Sequence, residues 1–419
     1  MEKILLLGTG ARESALAWAL LRSPRLETLY TAPGTYPGAI QATGVDPMDP
    51  QQVYDFVVRH GVTMVVPGSE ELIASGLADA LEDLPVRVVA PSGEAARLET
   101  DKEFAKEFMS DYGVPTPRWM SVTSDTLDEG LSFLNSIHPP YVLKANGMAQ
   151  GRGVHIVDNL ADACDLLREM LDGLYGESSH TVIIEEFVPG RECSIFLAVS
   201  AESYKILASA RDYKRVGVGN RGPNTRGMGS VSPASFAAKE FLEKVEQTII
   251  RPTLAGLQDK GLPYRGFLYL GIMEIGGIPL LLEYNVRLGD PETQAILPRI
   301  QSDVIDVMKA IADNRVDELE IELSPDPAVS MVLAAPGYPA DPELGNPVSG
   351  LSAALETGAL VFPGEIGKDG TGKLVTRGPR IATVAAVAPT VQEAAAKVRD
   401  AISRLQSPGA FYREDIGAD

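Results

Sequence analysis

The residues best suited to chemistry lie in the segment LLLEYNVRLGDPETQ, residues 280–294. The apolar run Leu280–Leu282, expected to be buried, precedes Glu283 and Asn285, which are two residues apart and so share one face of a strand. Arg287 follows at the same spacing, before a turn into an apparent helix. These groups suit Mg²⁺ bound to a nucleotide triphosphate, because hard oxygens hold the ion and arginine neutralises phosphate charge. The alternative is a solvated sheet face with an incidental Glu–Arg pair.

A second candidate is the loop GTGARE, which joins a predicted strand to a predicted helix. Gly8 and Gly10 let backbone amides face a phosphate at the positive end of the helix, and Arg12 adds a full charge. The loop is not a dinucleotide fingerprint, because Glu13 replaces the third glycine. A phosphate-binding turn is favoured over a merely tight turn. Gly34 follows the next strand at the same sheet edge, where ligands of open α/β sheets gather.

Two further segments have features of a nucleotide site. Lys144 leaves a strand into a loop with three glycines, which fits a flap closing over phosphates with charge from Lys144 and Arg152. A glycine-rich hairpin without a ligand is equally compatible. The strand ending in Glu185 and Glu186 precedes a Pro-Gly turn, a possible hinge that reads adenine, with Glu192 for ribose hydroxyls. Taken alone, this second segment is better explained as an ordinary strand end.

A glycine-rich loop is predicted at residues 217–229, after the string DYKR at 212–215. Long loops that combine cations, glycines, Asn and Thr are usually functional, so substrate binding is favoured over a plain connector. The candidate substrate-binding residues in this region are Asp212, Lys214, Arg215, Pro223, Asn224 and Thr225.

The elements that must position these residues indicate an α/β protein. Apolar strands at 3–7, 29–32, 64–67 and 86–90 alternate with helices such as 13–21 and 50–60, which predicts an open parallel sheet. Later predicted helices span 101–112, 160–171, 237–260 and 391–405. Later predicted strands span 141–145, 155–157, 182–187, 194–211, 266–275 and 279–284. Three units follow: 1–100, 101–325 with a β-rich subdomain at 118–187, and a β-rich unit at 326–419.

Composition excludes several classes of function. The net charge of −20 argues against a nucleic-acid partner, since a phosphate-backbone footprint needs a basic surface. Cys164 and Cys193 lack metal-ligand spacing, which fits a reducing compartment. The four histidines are scattered, so neither a zinc site nor a Ser-His-Asp triad is supported. No apolar run reaches membrane-spanning length, and we expect a cytoplasmic protein without a membrane partner.

Taken together, the segments resemble the phosphoribosylamine–glycine ligases (glycinamide ribonucleotide synthetases), a family of ATP-grasp enzymes. The similarity rests on GPNTRGMG, GFLYLGIM with LLEYN, VRLGDPETQ, and the closing GAFYREDIG, in this order and across the whole chain. It implies an N-terminal α/β (pre-ATP-grasp) domain, an ATP-grasp core with a mobile lid and a C-terminal domain. A monomer or weak dimer is expected.

The resemblance also implies roles for individual residues. ATP contacts would come from Lys102, Lys144, Arg152, Glu185, Glu186, Val188 and Glu192. Mg²⁺ (or Mn²⁺) would be held by Glu283 and Asn285. The catalytic residues would be Lys144, Arg287 and Asp290. The phosphoribosyl group would lie near Gly8, Gly10, Arg12, Glu13 and Gly34.

The implied reaction has two steps. ATP phosphorylates the glycine carboxylate, and the amine of 5-phosphoribosylamine then attacks the acyl phosphate and releases phosphate. The chain departs from the family pattern at Ser14, Ser69, Asn146, Arg152 and Arg226. An ATP-grasp ligase for a related amine and acid is therefore the alternative, and a non-catalytic nucleotide-binding module is a third possibility.

Overall fold

The computed structural model describes residues 1–149 and 152–418, so the flap residues Gln150 and Gly151 and the final Asp419 lie outside the described residues. The first unit is a parallel sheet with strands β1 (Glu2–Gly8), β2 (Leu26–Pro33), β3 (Ile40–Gln41), β4 (Met64–Pro67) and β5 (Arg87–Val88). Their order is β3-β2-β1-β4-β5. The helices are α1 (Ala11–Leu21), α2 (Pro50–His60), α3 (Glu70–Ala74), α4 (Leu77–Ala80) and α5 (Arg97–Thr100). The predicted open parallel α/β sheet is confirmed.

The second unit begins with α6 (Lys102–Asp111), whose N-terminus is capped by Asp101. A four-stranded antiparallel sheet follows, with β6 (Trp119–Thr123), β7 (Tyr141–Ala145), β8 (Val154–Val157) and β9 (Thr181–Glu186) in the order β6-β9-β7-β8. Its helices are α7 (Leu127–Ser136) and α8 (Leu160–Glu169). Helix α8 ends before the predicted residue 171 because a π-helical turn, Met170–Leu174, follows it and Gly173 leaves helical geometry.

The remaining strands are β10 (Arg191–Ser200), β11 (Ser203–Asp212), β12 (Arg215–Gly217), β13 (Arg221–Asn224), β14 (Gly229–Ser232), β15 (Arg265–Ile275), β16 (Ile278–Asn285), β17 (Ala328–Ala334), β18 (Leu360–Pro363), β19 (Ile366–Lys368), β20 (Leu374–Thr376) and β21 (Arg380–Val387). An eight-stranded sheet has the order β16-β15-β10-β11-β14-β17-β21-β18. Strands β12 and β13 form one separate two-stranded sheet, and β19 and β20 form another. The helices are α9 (Lys239–Val245), α10 (Arg251–Asp259), α11 (Thr293–Ile296), α12 (Val304–Ala312), α13 (Leu351–Leu355) and α14 (Val391–Ile402).

The eight-stranded sheet crosses the predicted boundary at residue 326. Strand β11 joins β14 through only two residue pairs, Arg211 with Val231 and Asp212 with Ser230, and β14 in turn pairs with β17. The second unit and the last unit thus contribute strands to opposite ends of one sheet. The domain boundaries proposed from the sequence remain a prediction.

Some local predictions were wrong. Residues 217–229 are not one irregular loop, because β12 and β13 form a hairpin, and Gly219 and Asn220 reverse the chain at φ 71° and 58°. By contrast, the strands predicted within residues 194–211 do form, as the two antiparallel strands β10 and β11. The run Leu280–Leu282 is not buried throughout, because only Leu281 is fully covered.

In the described part of the chain, no helix is long and apolar enough to cross a membrane.

Candidate active site

A cavity of about 240 Å³, partly open to solvent, lies where the three large sheets meet. Its walls come from the helices α1, α3, α5 and α6, from β7, β8 and β9, and from β11, β15, β16 and β21. Of the described side chains that line it, eight are cationic and eight are carboxylates. Because these charges balance, a triphosphate bound there needs additional positive charge, which a divalent cation supplies.

Half of the residues singled out from the sequence line this cavity. They are Arg12, Lys102, Lys144, Glu185, Asp212, Lys214, Thr225, Glu283, Asn285, Arg287 and Asp290. The fold therefore brings the N-terminal turn, the flap, the DYKR segment and the acidic strand end into one cleft. The individual roles of these residues remain predictions.

The acidic strand end is shaped by its neighbour in the sheet. Glu283 on β16 lies opposite Gly271 on β15, where an added Cβ would come within 2.9 Å of the Glu283 Cγ. A glycine at position 271 is thus what lets the Glu283 side chain cross the sheet face. The Oδ1 atom of Asn285 accepts a hydrogen bond from Nη2 of Arg287 at 3.1 Å, while its buried Nδ2 has no partner among the described residues. Leu282 lines the cavity beside them.

Glu283 and Asn285 fit a nucleotide-borne metal ion. The described residues contain no group of three or more His, Cys, Asp or Glu side chains able to hold a metal. Mg²⁺ typically takes one or two protein oxygens and completes its octahedron with phosphates and water. The carboxylate of Glu283 and Oδ1 of Asn285, which accepts one bond from Arg287 and keeps a second lone pair, supply two oxygens in the cleft that match that donor set.

The opposite wall of the cleft carries a buried lysine cluster. Nζ of Lys106 and Nζ of Lys144 both lie 2.8 Å from the same oxygen of Glu185. Burial alone would raise the pKa of Glu185, but these two ammonium groups lower it below its usual value. Burial lowers the pKa of Lys106 to about 8 and that of Lys102 also to about 8. The sequence-based role of Glu185 as an adenosine contact remains a prediction, since here it bonds two lysines.

Lys102 links α6 to the base of the flap. Its Nζ donates to the carbonyl oxygens of Asn146 and Gly147, at 3.3 and 3.1 Å. The amide of Asn146 bonds the start of α6, because its Oδ1 accepts the backbone N–H of Glu103 at 2.7 Å. Asn146, one of the departures from the family pattern, therefore has a structural role in joining helix and flap.

Arg287 is held by two carboxylates from other parts of the chain. Its Nη2 lies 2.6 Å from Glu99 and its Nε lies 3.1 Å from Glu70. Although burial alone raises it, the guanidinium groups of Arg287 and Arg12 lower the pKa of Glu70 to about 2. Burial raises the pKa of Glu99 to about 7 despite the nearby Arg287. Arg12 is buried as well and donates to Glu13 at 2.8 Å.

Asp290 pairs with Arg380, which comes from β21 in the last unit. Although burial alone raises it, Arg380 and Arg12 lower the pKa of Asp290. Its other oxygen accepts a hydrogen bond from Gln294 at 2.8 Å. Both carboxylate oxygens are thus engaged within the protein, and the catalytic role expected for Asp290 remains a prediction.

Lys214 connects the DYKR segment to the acidic strand. It forms an ion pair with Glu192 and lies 3.8 Å from Glu283. The carboxylate of Glu192, expected to meet ribose hydroxyls, is therefore shared with Lys214. Burial, together with the adjacent Glu292, raises the pKa of Asp212, whose Oδ1 is buried with no partner among the described residues.

The other half of the expected site residues lie outside the described cavity lining. Gly8 and Gly10 adopt φ values of 122° and 126°, and a Cβ at Gly8 would lie 2.9 Å from Glu13. Glu13 itself is only 1% exposed. The glycines of this turn are explained by close packing around Glu13, so a phosphate contact there remains a prediction. Gly34 likewise packs within 2.6 Å of the Tyr36 hydroxyl, measured from an added Cβ.

The remaining expected residues lie on three segments near the cleft residues in sequence. They are Arg152 on the flap, Glu186, Val188 and Glu192 at the β9–β10 connection, and Arg215, Pro223 and Asn224 on the β12–β13 hairpin. The guanidinium of Arg215 donates to the carbonyl of Gly222 at 2.8 Å and so fastens the hairpin. Their substrate contacts remain predictions.

Sequence reasoning assigned no role to six charged residues that line the cleft: Glu70, Glu71, Glu99, Lys106, Glu292 and Arg380. Lys106 was detectable, because it lies one turn after Lys102 and so shares its helix face. Arg380 and Glu99 had no such signal, since their partners, Asp290 and Arg287, lie far away in the chain.

Comparison with known proteins identifies the family of the chain. The family description "Phosphoribosylglycinamide synthetase" matches in three parts: the N domain at residues 2–99, the ATP-grasp (A) domain at 100–293 and the C domain at 328–419. A phosphoribosylamine–glycine ligase of Chlorobaculum tepidum is 37% identical over 424 residues, covering 99% of each chain. The crystal structure of a phosphoribosylamine–glycine ligase from Thermotoga maritima aligns with this chain with a TM-score of 0.83 at 32% identity, covering 99% of each chain.

A more distant structure shares the fold. The biotin carboxylase domain of 2-oxoglutarate carboxylase from Hydrogenobacter thermophilus, solved with MgADP, aligns with a TM-score of 0.73 at 16% identity. That alignment covers 98% of this chain and 91% of the other. On the full-length match to all three family descriptions, the chain belongs to the phosphoribosylglycinamide synthetase family.

Proposed function

We propose that this chain uses ATP to join glycine to 5-phosphoribosylamine, giving glycinamide ribonucleotide, ADP and phosphate. The observation that carries the proposal is the convergence of Lys144, Glu283 and Arg287 on one cleft in a chain that matches all three domains of the family. We also expect the reaction to take place in the cytoplasm, because both cysteines are free thiols.

The first step makes glycyl phosphate. A glycine carboxylate oxygen forms a bond to the γ-phosphorus, and the bond between that phosphorus and the bridging oxygen of ADP breaks. Lys102 and Lys144 hold the triphosphate, and Arg287 stabilises the negative charge on the transferring group. Glu283 and Asn285 would hold Mg²⁺, whose chemistry here is neutralisation of phosphate charge.

The second step makes the amide. The amine nitrogen of phosphoribosylamine forms a bond to the acyl carbon, the carbon–oxygen bond to phosphate breaks, and the amine loses a proton. An amine of low basicity is already largely neutral near pH 7, so no strong base is needed. The flap beside Lys144 supports exclusion of water, which would otherwise hydrolyse the acyl phosphate.

The test is ADP release by purified protein across a panel of amino acids, with phosphoribosylamine generated in situ. Glycine-dependent turnover that also requires the ribosylamine supports the proposal. Turnover only with another acid or amine would select the alternative ligase. If none of the acids supports ADP release, neither ligase is supported.

A further inference from the structure

Arg226 combines a fixed backbone with an exposed side chain in the cleft. Its N–H donates to the hydroxyl of Tyr338 at 3.0 Å, and its carbonyl accepts from Nη1 of Arg380 at 3.1 Å. Tyr338 and Arg380 are both buried, so the peptide units on either side of Arg226 are held in place. The next residue, Gly227, packs so closely that an added Cβ would meet Pro291 at 2.3 Å. The guanidinium itself is solvent-accessible and lines the cavity.

The other arginines of the cleft already have carboxylate partners. Arg12 pairs with Glu13, Arg287 with Glu70 and Glu99, and Arg380 with Asp290. Within the described ranges 1–149 and 152–418, no carboxylate lies within ion-pair distance of Arg226, and no hydrogen bond from its guanidinium is present. A ligand anion can therefore bind Arg226 without displacing an internal ion pair.

The charges around Arg226 place it at one end of the cleft. Arg226 contributes, with Arg287 and Arg12, to the low pKa of Glu70, and with Arg380 and Arg12 to that of Asp290. The cations that act most on Glu283 are instead Lys214, Lys144 and Lys102. Nη1 of Arg380 donates both to the carbonyl of Arg226 and to that of Asp290, each at 3.1 Å, so Arg226 lies at the end of the cleft formed by Arg380 and Asp290.

We propose that Arg226 binds the phosphate group of the phosphorylated amine substrate and so determines acceptor specificity, an inference that rests on the proposed function. A planar guanidinium matches two phosphate oxygens at once, which an ammonium group cannot do. A fixed backbone lowers the conformational entropy lost when the side chain is immobilised. The buried arginines nearby would have to give up a carboxylate to do the same.

The kinetic test uses Arg226→Gln and, as matched control, Arg221→Gln, which removes the same charge from an exposed position of the adjacent hairpin. Arg226→Gln is expected to raise the KM for phosphoribosylamine about ten- to a hundredfold, the range for a charge-assisted hydrogen bond. The KM values for ATP and glycine should stay near those of the wild type. The KM of Arg226→Lys for phosphoribosylamine should lie between those of the wild type and Arg226→Gln, because the charge remains but the forked guanidinium is lost. Arg221→Gln should match the wild type throughout.

A binding test does not depend on turnover. Calorimetric titration with ribose 5-phosphate, a stable phosphorylated sugar, should show weaker binding to Arg226→Gln, with unphosphorylated ribose as the reference ligand. Equal binding to both proteins would overturn the proposal. A selective rise in the KM for glycine would also overturn it, because the cation would then serve a carboxylate. If the wild type binds ribose 5-phosphate through Arg226 but shows no glycine-dependent turnover, the proposed function fails and the Arg226 site stands.

Discussion

Replacing Glu99 with glutamine is expected to change the pH dependence of catalysis. Glu99 accepts the backbone N–H of Val286 at 2.7 Å and pairs with Arg287 at 2.6 Å, so it fixes the arginine expected to stabilise the transferring phosphoryl group. Burial raises the pKa of this carboxyl from 4.5 to about 7. As pH falls through 7, Glu99 becomes neutral and Arg287 loses half of its carboxylate clamp.

The shift sets the size of two effects. Raising the pKa from 4.5 to about 7 means that the folded site disfavours the ionised carboxylate by about 3 kcal/mol. Protonated Glu99 therefore adds to the free energy of unfolding below pH 4.5. This contribution is lost as pH rises through 7, because the folded state keeps the proton to a higher pH than the unfolded state does. If only the ionised form positions Arg287, kcat should fall about tenfold for each pH unit below the midpoint.

The assay is kcat from pH 5.5 to 8.5 for the wild type, Glu99→Gln and Glu70→Gln. Glu99→Gln should have a lower kcat and no titration near pH 7. Glu70→Gln serves as the matched control on the same arginine, because the pKa of Glu70 is about 2 and it stays ionised throughout. Since the charge of Glu70 helps to raise the pKa of Glu99, its removal should move the midpoint to lower pH. An unchanged acid limb in Glu99→Gln would refute the reasoning.

Three other substitutions test separate parts of the site. Glu283→Gln should abolish Mg²⁺-dependent ADP release without lowering the thermal midpoint, and wild-type rates would remove the metal assignment. Lys106→Met should raise the KM for ATP about tenfold, because Glu185 then pairs with Lys144 alone; initial rates against ATP measure this. Gly227→Ala should lower the unfolding midpoint by several degrees through the contact with Pro291, whereas Gly261→Ala, with positive φ but open space, should lower it less.

The fold class and family were predictable from the sequence because their signals are local. Apolar runs such as Met64–Pro67 and helix boundaries such as Pro50–His60 depend on neighbouring residues, and both elements form where expected. The β12–β13 hairpin was missed because its strands contain glycine and arginine in place of the usual β-branched residues. Here the positive φ values of Gly219 and Asn220 determine the structure, and polar composition alone suggested a loop.

The site was predictable only as far as its segments were. Glu283, Asn285 and Arg287 share a strand and its extension, so their grouping follows from the alternation of side chains. The partners of Arg287 do not follow from any spacing, because Glu70 begins α3 and Glu99 lies within α5, both far from Arg287 in the chain. Such ion pairs depend on how whole units dock. The sequence likewise could not show that Glu13 is enclosed by the glycines expected to bind phosphate.

The ion pairs of the cleft also indicate which cations at its two ends are available to bind a ligand. A cation already paired with a buried carboxylate can act on a ligand only while it keeps that pair, because breaking the pair leaves a buried charge uncompensated. At one end Lys102 bonds only carbonyl oxygens, so it has charge to offer a triphosphate, and Glu283 with Asn285 can add a metal ion. At the other end Arg226 alone among the arginines of the described cavity lining lacks an ion pair. We therefore predict that nucleotide affinity and acceptor affinity depend on different residues, and that each can change without the other.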